Sequence, residues 1–218
     1  MSKTTTYIFD LDGTLLDTLD DLAASANYAL RQYGFPEHST DDIRRFVGNG
    51  VRRLMERAVP AAVSPAQFEE VLATFRQHYM HHALDTTRPY PGIPETLREL
   101  RRRGCPMAVV SNKMMAATQE LVAHFFPEIP VAIGENEAEG ISRKPAPDTV
   151  NEALRRLGAE SRTAVYVGDS DVDILTARNA GLPCISVLWG FRDRPFLLQH
   201  GATPLIARPE ELLLHVVK

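Results

Sequence analysis

Apolar and polar positions along this chain follow two different periods. Tyr7, Ile8 and Phe9 make a short apolar run that stops at Asp10 and Asp12 and breaks at Gly13-Thr14, the pattern of a buried strand ending in an acidic turn. After Asp17 the period becomes helical. Leu19, Leu22, Ala23, Ala26, Ala29 and Leu30 recur at three- and four-residue steps until Gly34-Phe35-Pro36, which predicts one amphipathic helix. Ser39-Thr40 with Asp42-Ile43 reads as the next helix start, and Gly48-Asn49-Gly50 interrupts. Val51, Leu54, Met55 and Ala58 form a further stripe up to Pro60. Ser64-Pro65, a capping serine before a first-turn proline, opens a helix carrying Phe68, Val71, Leu72, Phe75 and Tyr79. No strand is expected in this block.

Strand and helix alternate again after the turn-rich Pro89-Tyr90-Pro91-Gly92. A helix over Ile93 to Arg103 precedes a strand over Met107 to Val110 that ends in Ser111-Asn112, and Met114 to Phe126 is helical, with Met114-Met115 beginning its core-facing side. Val131 to Ile133 is a strand, Asp148 to Leu157 a helix closed by Gly158, and Ala164 to Val167 a strand ending at Gly168-Asp169. Asp171 to Ala180 is helical, and Cys184 to Val187 is the last expected strand. Such alternation predicts an α/β fold with a parallel sheet wrapped by helices. The helical block then lies as an insertion after the first strand, giving a core of residues 1–16 and 87–218 and an inserted unit of residues 17–86.

Composition narrows the partners. A length of 218 residues accommodates a core with an insertion. A net charge of −4 without a dense Lys/Arg tract gives no electrostatic footprint for nucleic acid or an anionic membrane. The run Arg101-Arg102-Arg103 fits a solvated helix face. No apolar run approaches the ~20 residues of a membrane span, and MSKTTT has no signal-peptide core, so a cytoplasmic protein, monomer or homodimer, is expected. Cys105 and Cys184 lack metal-type spacing and read as buried free thiols beside strands.

The chemistry gathers at strand ends. In an open α/β sheet, ligands bind outside the carboxyl edge, and Asp10/Asp12, Ser111-Asn112, the loop holding Lys144, and Asp169/Asp173 all fall there. Close carboxylates need a cation or a shared proton to relieve their repulsion. Mg²⁺ uses one or two carboxylates together with a substrate phosphate, so Asp10 and Asp169 are candidate ligands. Asp173, one helical turn on, either reaches the ion through water, orients Asp169, or simply favours the helix dipole. A docked phosphate needs donors, which Ser111, the backbone of Asn112 at a helix start, and Lys144 can supply; helix capping is the competing role for Ser111. Lys144 sits in Arg143-Lys144-Pro145-Ala146-Pro147, where two prolines stiffen the backbone.

These residues carry a resemblance. FDLDGTL at Phe9 to Leu15, Ser111, Lys144, and GDSDVD at Gly168 to Asp173 resemble, in order, the four motifs of the haloacid dehalogenase superfamily of phosphatases, over nearly the whole chain. Val47-Gly48-Asn49-Gly50 and Ser111-Asn112-Lys113 resemble its phosphoglycolate phosphatase branch. The resemblance implies a Rossmann-like core with helices on both faces plus an inserted α-helical cap. It implies Mg²⁺ held by Asp10, the backbone carbonyl of Asp12, Asp169 and Asp173. Asp10 would be the nucleophile giving an aspartyl-phosphate, and Asp12 the acid and base, with Ser111 and Lys144 on the phosphoryl oxygens. Asn112 and Lys113 would join substrate binding. The expected substrate is a small phosphate ester, 2-phosphoglycolate first. A phosphosugar mutase, a pyrophosphatase and a non-catalytic phosphate-binding module are the alternatives. Asp12 argues against the dehalogenases, which work without metal and lack that second acid.

Substrate choice would fall to the inserted unit. Gly48, Asn49 and Gly50 either offer backbone N–H groups to a small carboxylate, with Arg52 or Arg53 as a nearby cation, or form a plain glycine turn. They are not a dinucleotide fingerprint, because Arg53 stands at the third glycine position. His78, His81 and His82 do not make the His-Glu-x-x-His pattern and are expected to be mostly solvated. Trp189-Gly190-Phe191 follows the last expected strand and reads either as packing on the site rim or as a loop anchor.

Overall fold

The computed structural model describes residues 4–215 of the chain. Its elements run in the order β1 (Thr6–Phe9), β2 (Leu16–Asp17), α1 (Leu19–Gln32), α2 (Thr40–Phe46), α3 (Gly50–Ala58), α4 (Pro65–His82), β3 (Arg88–Pro89), α5 (Ile93–Arg102), β4 (Met107–Met114) and α6 (Met115–Phe125). There follow β5 (Val131–Glu135), α7 (Asp148–Leu157), β6 (Ala164–Gly168), α8 (Asp171–Asn179), β7 (Cys184–Val187), α9 (Arg194–Gln199) and β8 (Leu205–Ile206). The chain divides into two compact units, one up to Leu16 and from Pro89 onward, the other Asp17–Arg88.

Six parallel strands in the order β5-β4-β1-β6-β7-β8 form the sheet of the first unit. β1 is central, with Ile8 opposite Ala108 of β4 and Tyr166 of β6. Strand alternation sends Tyr7, Phe9, Val109 and Val167 to one face, where Leu97 and Leu100 of α5 and Leu121 of α6 cover them. Ile8, Val110 and Tyr166 go to the other, under Val150 and Leu154 of α7 and Ala177 of α8. Helices therefore protect both faces, the Rossmann-like α/β arrangement expected. Each fully buried Leu, Ile, Val or Phe contributes roughly 1.5–3 kcal/mol, so the two apolar layers dominate the stability of this unit.

The second unit is helical. Ser39 caps α2 through a reciprocal box with Asp42, and Ser64 accepts from the Gln67 N–H with Pro65 in the first turn of α4, the local signals expected there. Leu22, Ala26 and Leu30 of α1 are buried, as are Leu72, Phe75 and Tyr79 of α4, and the two helices pack together. Asp21 in the first turn of α1 accepts hydrogen bonds from the N–H and hydroxyl of both Thr86 and Thr87 at 2.6–3.1 Å. The start and end of the unit are thereby tied to one carboxylate.

Several local expectations need correction. β4 continues through Ser111, Asn112 and Lys113 to Met114, so Asn112 is not at a helix start. Ser111 does not cap α6, whose preceding residue is Met114 with no side-chain cap; its Oγ accepts instead from the Lys113 N–H at 3.1 Å. α9, β8 and a 3-10 turn over Pro209–Leu214 were not anticipated. Their apolar positions are too few to show a period. Cys105 and Cys184 are free but half-buried rather than buried. His78 and His82 are half-buried too: His78 stacks on Tyr28 and on His82 at centroid distances of 4.0 and 4.1 Å, and its Nδ1 meets Ser25 Oγ at 3.0 Å. Among the described residues no helix is long and apolar enough to cross a membrane.

Candidate active site

The carboxyl ends of β1, β4 and β6 bring Asp10, Ser111 and Asp169 to one edge of the sheet, and the loop before α7 adds Lys144. Lys144 is 4% exposed, and its ammonium has three partners. Nζ donates to Asp10 Oδ1 at 2.6 Å, to Asp173 Oδ1 at 2.8 Å and to the Tyr166 hydroxyl at 3.1 Å. Asn112 holds the lysine backbone: its Nδ2 donates to the Lys144 carbonyl at 3.1 Å and its Oδ1 accepts from the Lys144 N–H at 2.7 Å. A buried ammonium is tolerated because every one of its protons meets an oxygen. Burial opposes its charge, but Asp10 and Asp173 outweigh that and push its pKa above the usual lysine value.

Asp173 is fully buried and uses both oxygens. Oδ1 accepts from Lys144 and from the Tyr166 hydroxyl, and Oδ2 from the N–H groups of Asp169 and Ser170 and from Ser170 Oγ. It is thus the N3 residue of the capping box that starts α8, which fixes the backbone at Asp169. Tyr166, buried in β6, stays protonated because burial and then Asp173 raise its pKa well above the usual phenol value. Its contribution was missed in the sequence, where a tyrosine within an apolar strand looks like core.

Asp12 lies one turn beyond β1. Lys113 Nζ is 3.1 Å from its Oδ1, and Ser111 Oγ lies 3.5 Å from its Oδ2. Lys113 is itself buried, so the second acid sits against a cation and a hydroxyl, while Asp10 sits against Lys144. Gly13 follows with φ 87°, and a side chain there would overlap the carboxylate of Asp169, which explains the glycine of the turn.

The donor set fits a hard divalent cation. One carboxylate oxygen from each of Asp10, Asp169 and Asp173 lies within 4.8 Å of the others, three carboxylates around one ammonium. Burial and then Asp173 push the Asp10 pKa well above the carboxylate range, with Lys144 opposing. Burial and then Asp173 take Asp169 up to about 7, against the Phe191 N–H, Arg192 and Lys144. Lys144 stays charged, and the remaining negative charge is in excess. Oxygen donors in such a cluster suit Mg²⁺ or Mn²⁺. Since Asp173 is saturated by its own hydrogen bonds, Asp10 and Asp169 carry the oxygens that could hold the ion.

The other expected site residues lie in the helical unit. Asn49 precedes α3 without a side-chain cap, Gly50 opens that helix, and Gly48 is half-buried before it. Arg52 is committed elsewhere: its guanidinium forks onto Glu69 with two bonds of 2.8 Å and lies 5.4 Å over the Phe68 ring.

Known proteins resemble the chain over most of its length. The model of the haloacid dehalogenase-like hydrolases matches residues 7–187. A phosphoglycolate phosphatase of Aquifex aeolicus is 35% identical over 189 residues, covering 84% of each chain. One of Rhodobacter capsulatus is 36% identical over 201 residues, covering 89% of this chain and 90% of that one. A crystal structure from Lactobacillus delbrueckii subsp. bulgaricus, provisionally described as a phosphoglycolate phosphatase, superposes with a TM-score of 0.90 at 39% identity over 96% of this chain and 97% of that one. With the parallel sheet, the acidic cluster at its carboxyl edge and these relatives together, the chain belongs to the haloacid dehalogenase-like hydrolases, as a phosphoric monoester hydrolase.

Proposed function

We propose that the protein is an Mg²⁺-dependent phosphatase that hydrolyses 2-phosphoglycolate through an aspartyl-phosphate on Asp10. The observation that carries this reading is the Lys144 ammonium 2.6 Å from Asp10 Oδ1 in a buried cluster of three carboxylates. An ammonium at that distance orients the nucleophile and neutralises charge that accumulates when a phosphate dianion approaches it. Asp10 and Asp169, with the backbone carbonyl of Asp12, would hold the ion, and Asp173 acts behind them by orienting Asp169. Once bound, Mg²⁺ screens the phosphate from the carboxylate that must attack it.

In the first half-reaction an Asp10 carboxylate oxygen forms a bond to phosphorus while the bond from phosphorus to the substrate oxygen breaks. Asp12 gives its proton to the departing alkoxide. Ser111 donates to a phosphoryl oxygen, Lys144 supplies the positive charge behind Asp10, and Lys113 beside Asp12 contributes a second cation to the same pocket. In the second half-reaction Asp12 takes a proton from water, the oxygen attacks phosphorus, and the acyl-phosphate bond breaks to release inorganic phosphate and regenerate Asp10. Different partners on the two aspartates give them different work.

The choice of 2-phosphoglycolate follows the relatives, which carry the name phosphoglycolate phosphatase. Asp10→Asn tests the chemistry: phosphate release from 2-phosphoglycolate should fall below about one thousandth of the parent rate. Brief incubation of the parent enzyme with labelled substrate should leave acid-stable label that hydroxylamine removes. Near-normal turnover by the variant would overturn the mechanism.

A further inference from the structure

Asp169 is held from a direction that neither the acidic turn nor α8 supplies. We propose that Trp189-Gly190-Phe191, just beyond β7, is a positioning clamp that presents one oxygen of Asp169, Oδ1, to the cation, an inference that rests on the cation reading above. Three contacts within the core unit make the clamp. The Phe191 N–H donates to Asp169 Oδ2 at 2.6 Å, a charge-assisted bond from a backbone donor that cannot rotate away. Gly190 permits that approach: a Cβ there would overlap the Asp169 side chain and the carbonyl oxygen of Gly13. Gly190 has no left-handed φ, so what the position demands is space and not an unusual backbone. Trp189 Nε1 donates to the Thr14 carbonyl at 2.9 Å, which ties the same loop to the turn that follows Asp10 and Asp12.

The consequence is geometric. The Asp169 N–H is already donated to Asp173 Oδ2 at 3.2 Å, and its Oδ2 is taken by Phe191. The residue is thus fixed at its backbone and at one carboxylate oxygen, with Oδ1 left for ligation. Mg²⁺ demands near-octahedral geometry at short distances, so a ligand oxygen must be placed within about 0.5 Å. The tie from Trp189 to Thr14 keeps Asp169 in register with the β1 turn, where the other ligands lie. A three-residue loop that looks like ordinary packing therefore governs the affinity for the ion without touching it.

Binding of Mn²⁺ to the full-length protein, read from loss of the free-ion EPR signal, tests this apart from turnover. Gly190→Ala should weaken Mn²⁺ at least tenfold, and Trp189→Phe, which removes only the indole donor and some ring area, at least threefold. The Mg²⁺ concentration for half-maximal phosphatase activity should rise by matching factors. Asp169→Asn is the reference for the cation reading itself. If it weakens Mn²⁺ while Gly190→Ala and Trp189→Phe both bind within twofold of the parent, the clamp is wrong and the cation reading stands. If Asp169→Asn binds Mn²⁺ like the parent, both are wrong. Circular dichroism identifies a Gly190→Ala protein that does not fold, in which case Trp189→Phe decides alone.

Discussion

Lys144 Nζ lies 2.6 Å from Asp10 Oδ1, although 134 residues separate the two in the chain. The same ammonium bonds Asp173 and Tyr166, and so sets a positive charge between two of the buried carboxylates. Lys144→Met keeps the length of the stem and removes that charge. We expect turnover to fall by about two to three orders of magnitude, the usual effect of deleting one aligned stabilising donor. The uncompensated carboxylates should also make the variant more dependent on divalent ions, so that added Mg²⁺ raises its Tm more than it raises that of the parent. An equal Tm increment in the two proteins would count against the charge balance described.

Asp169 links ion binding to pH. Its pKa in the folded chain, about 7, is above the usual carboxylate range, so between that range and pH 7 the folded state holds a proton that the unfolded state has lost. Without divalent ions this contribution makes stability fall as pH rises through that window, and it levels off above about 7. The ion competes with the same proton. Its apparent affinity should therefore rise with pH up to about 7, by no more than about tenfold per pH unit for one displaced proton. Thermal shifts with and without Mg²⁺ from pH 5 to 8 check this, and the increment should be largest at the alkaline end. An increment independent of pH in the parent would contradict it.

Asp21 gives the opposite sign. Burial raises its pKa, but the hydroxyl and backbone donors of Thr86 and Thr87 together outweigh burial and the net shift is downward. Stability from this group is therefore present above the unfolded pKa and is lost as pH falls through the lower folded value. Asp21→Asn removes the charge and turns an amide group toward donors. At pH 7 we expect a loss of about 2–4 kcal/mol, the scale of a few hydrogen bonds to a charged acceptor. Urea unfolding should show the difference shrinking below about pH 4, as the parent carboxylate protonates. A gap that stays constant down to pH 3 would mean that packing, not the carboxylate, closes the helical unit.

Much of the fold was legible because its signals are local. Short apolar runs at Tyr7-Ile8-Phe9 and Met107 to Val110 identify strands, three- and four-residue spacing identifies the helices, and Ser64-Pro65 marks a helix start that the structure places where it was expected. Parallel strands then put Asp10, Ser111 and Asp169 at one edge whatever their side chains do. β4 extended past its expected end because Ser111, Asn112 and Lys113 are polar yet buried. Polarity in a one-dimensional pattern reads as surface, whereas here it faces the site.

The amino-acid sequence by itself determined the order of elements and the set of chemical groups along one sheet edge, because both depend on residues a few positions apart. Only the tertiary structure decided how those groups are spent. Asn112 clasps the backbone of Lys144, Arg52 is bound to Glu69, Tyr166 is a partner of the ammonium, and Trp189-Gly190-Phe191 closes on Asp169. Each of these joins residues from 17 to 32 positions apart. A side chain's hydrogen-bonding partner is set by which other donors and acceptors lose water beside it, and that is fixed when the sheet and its helices close, not by spacing along the chain.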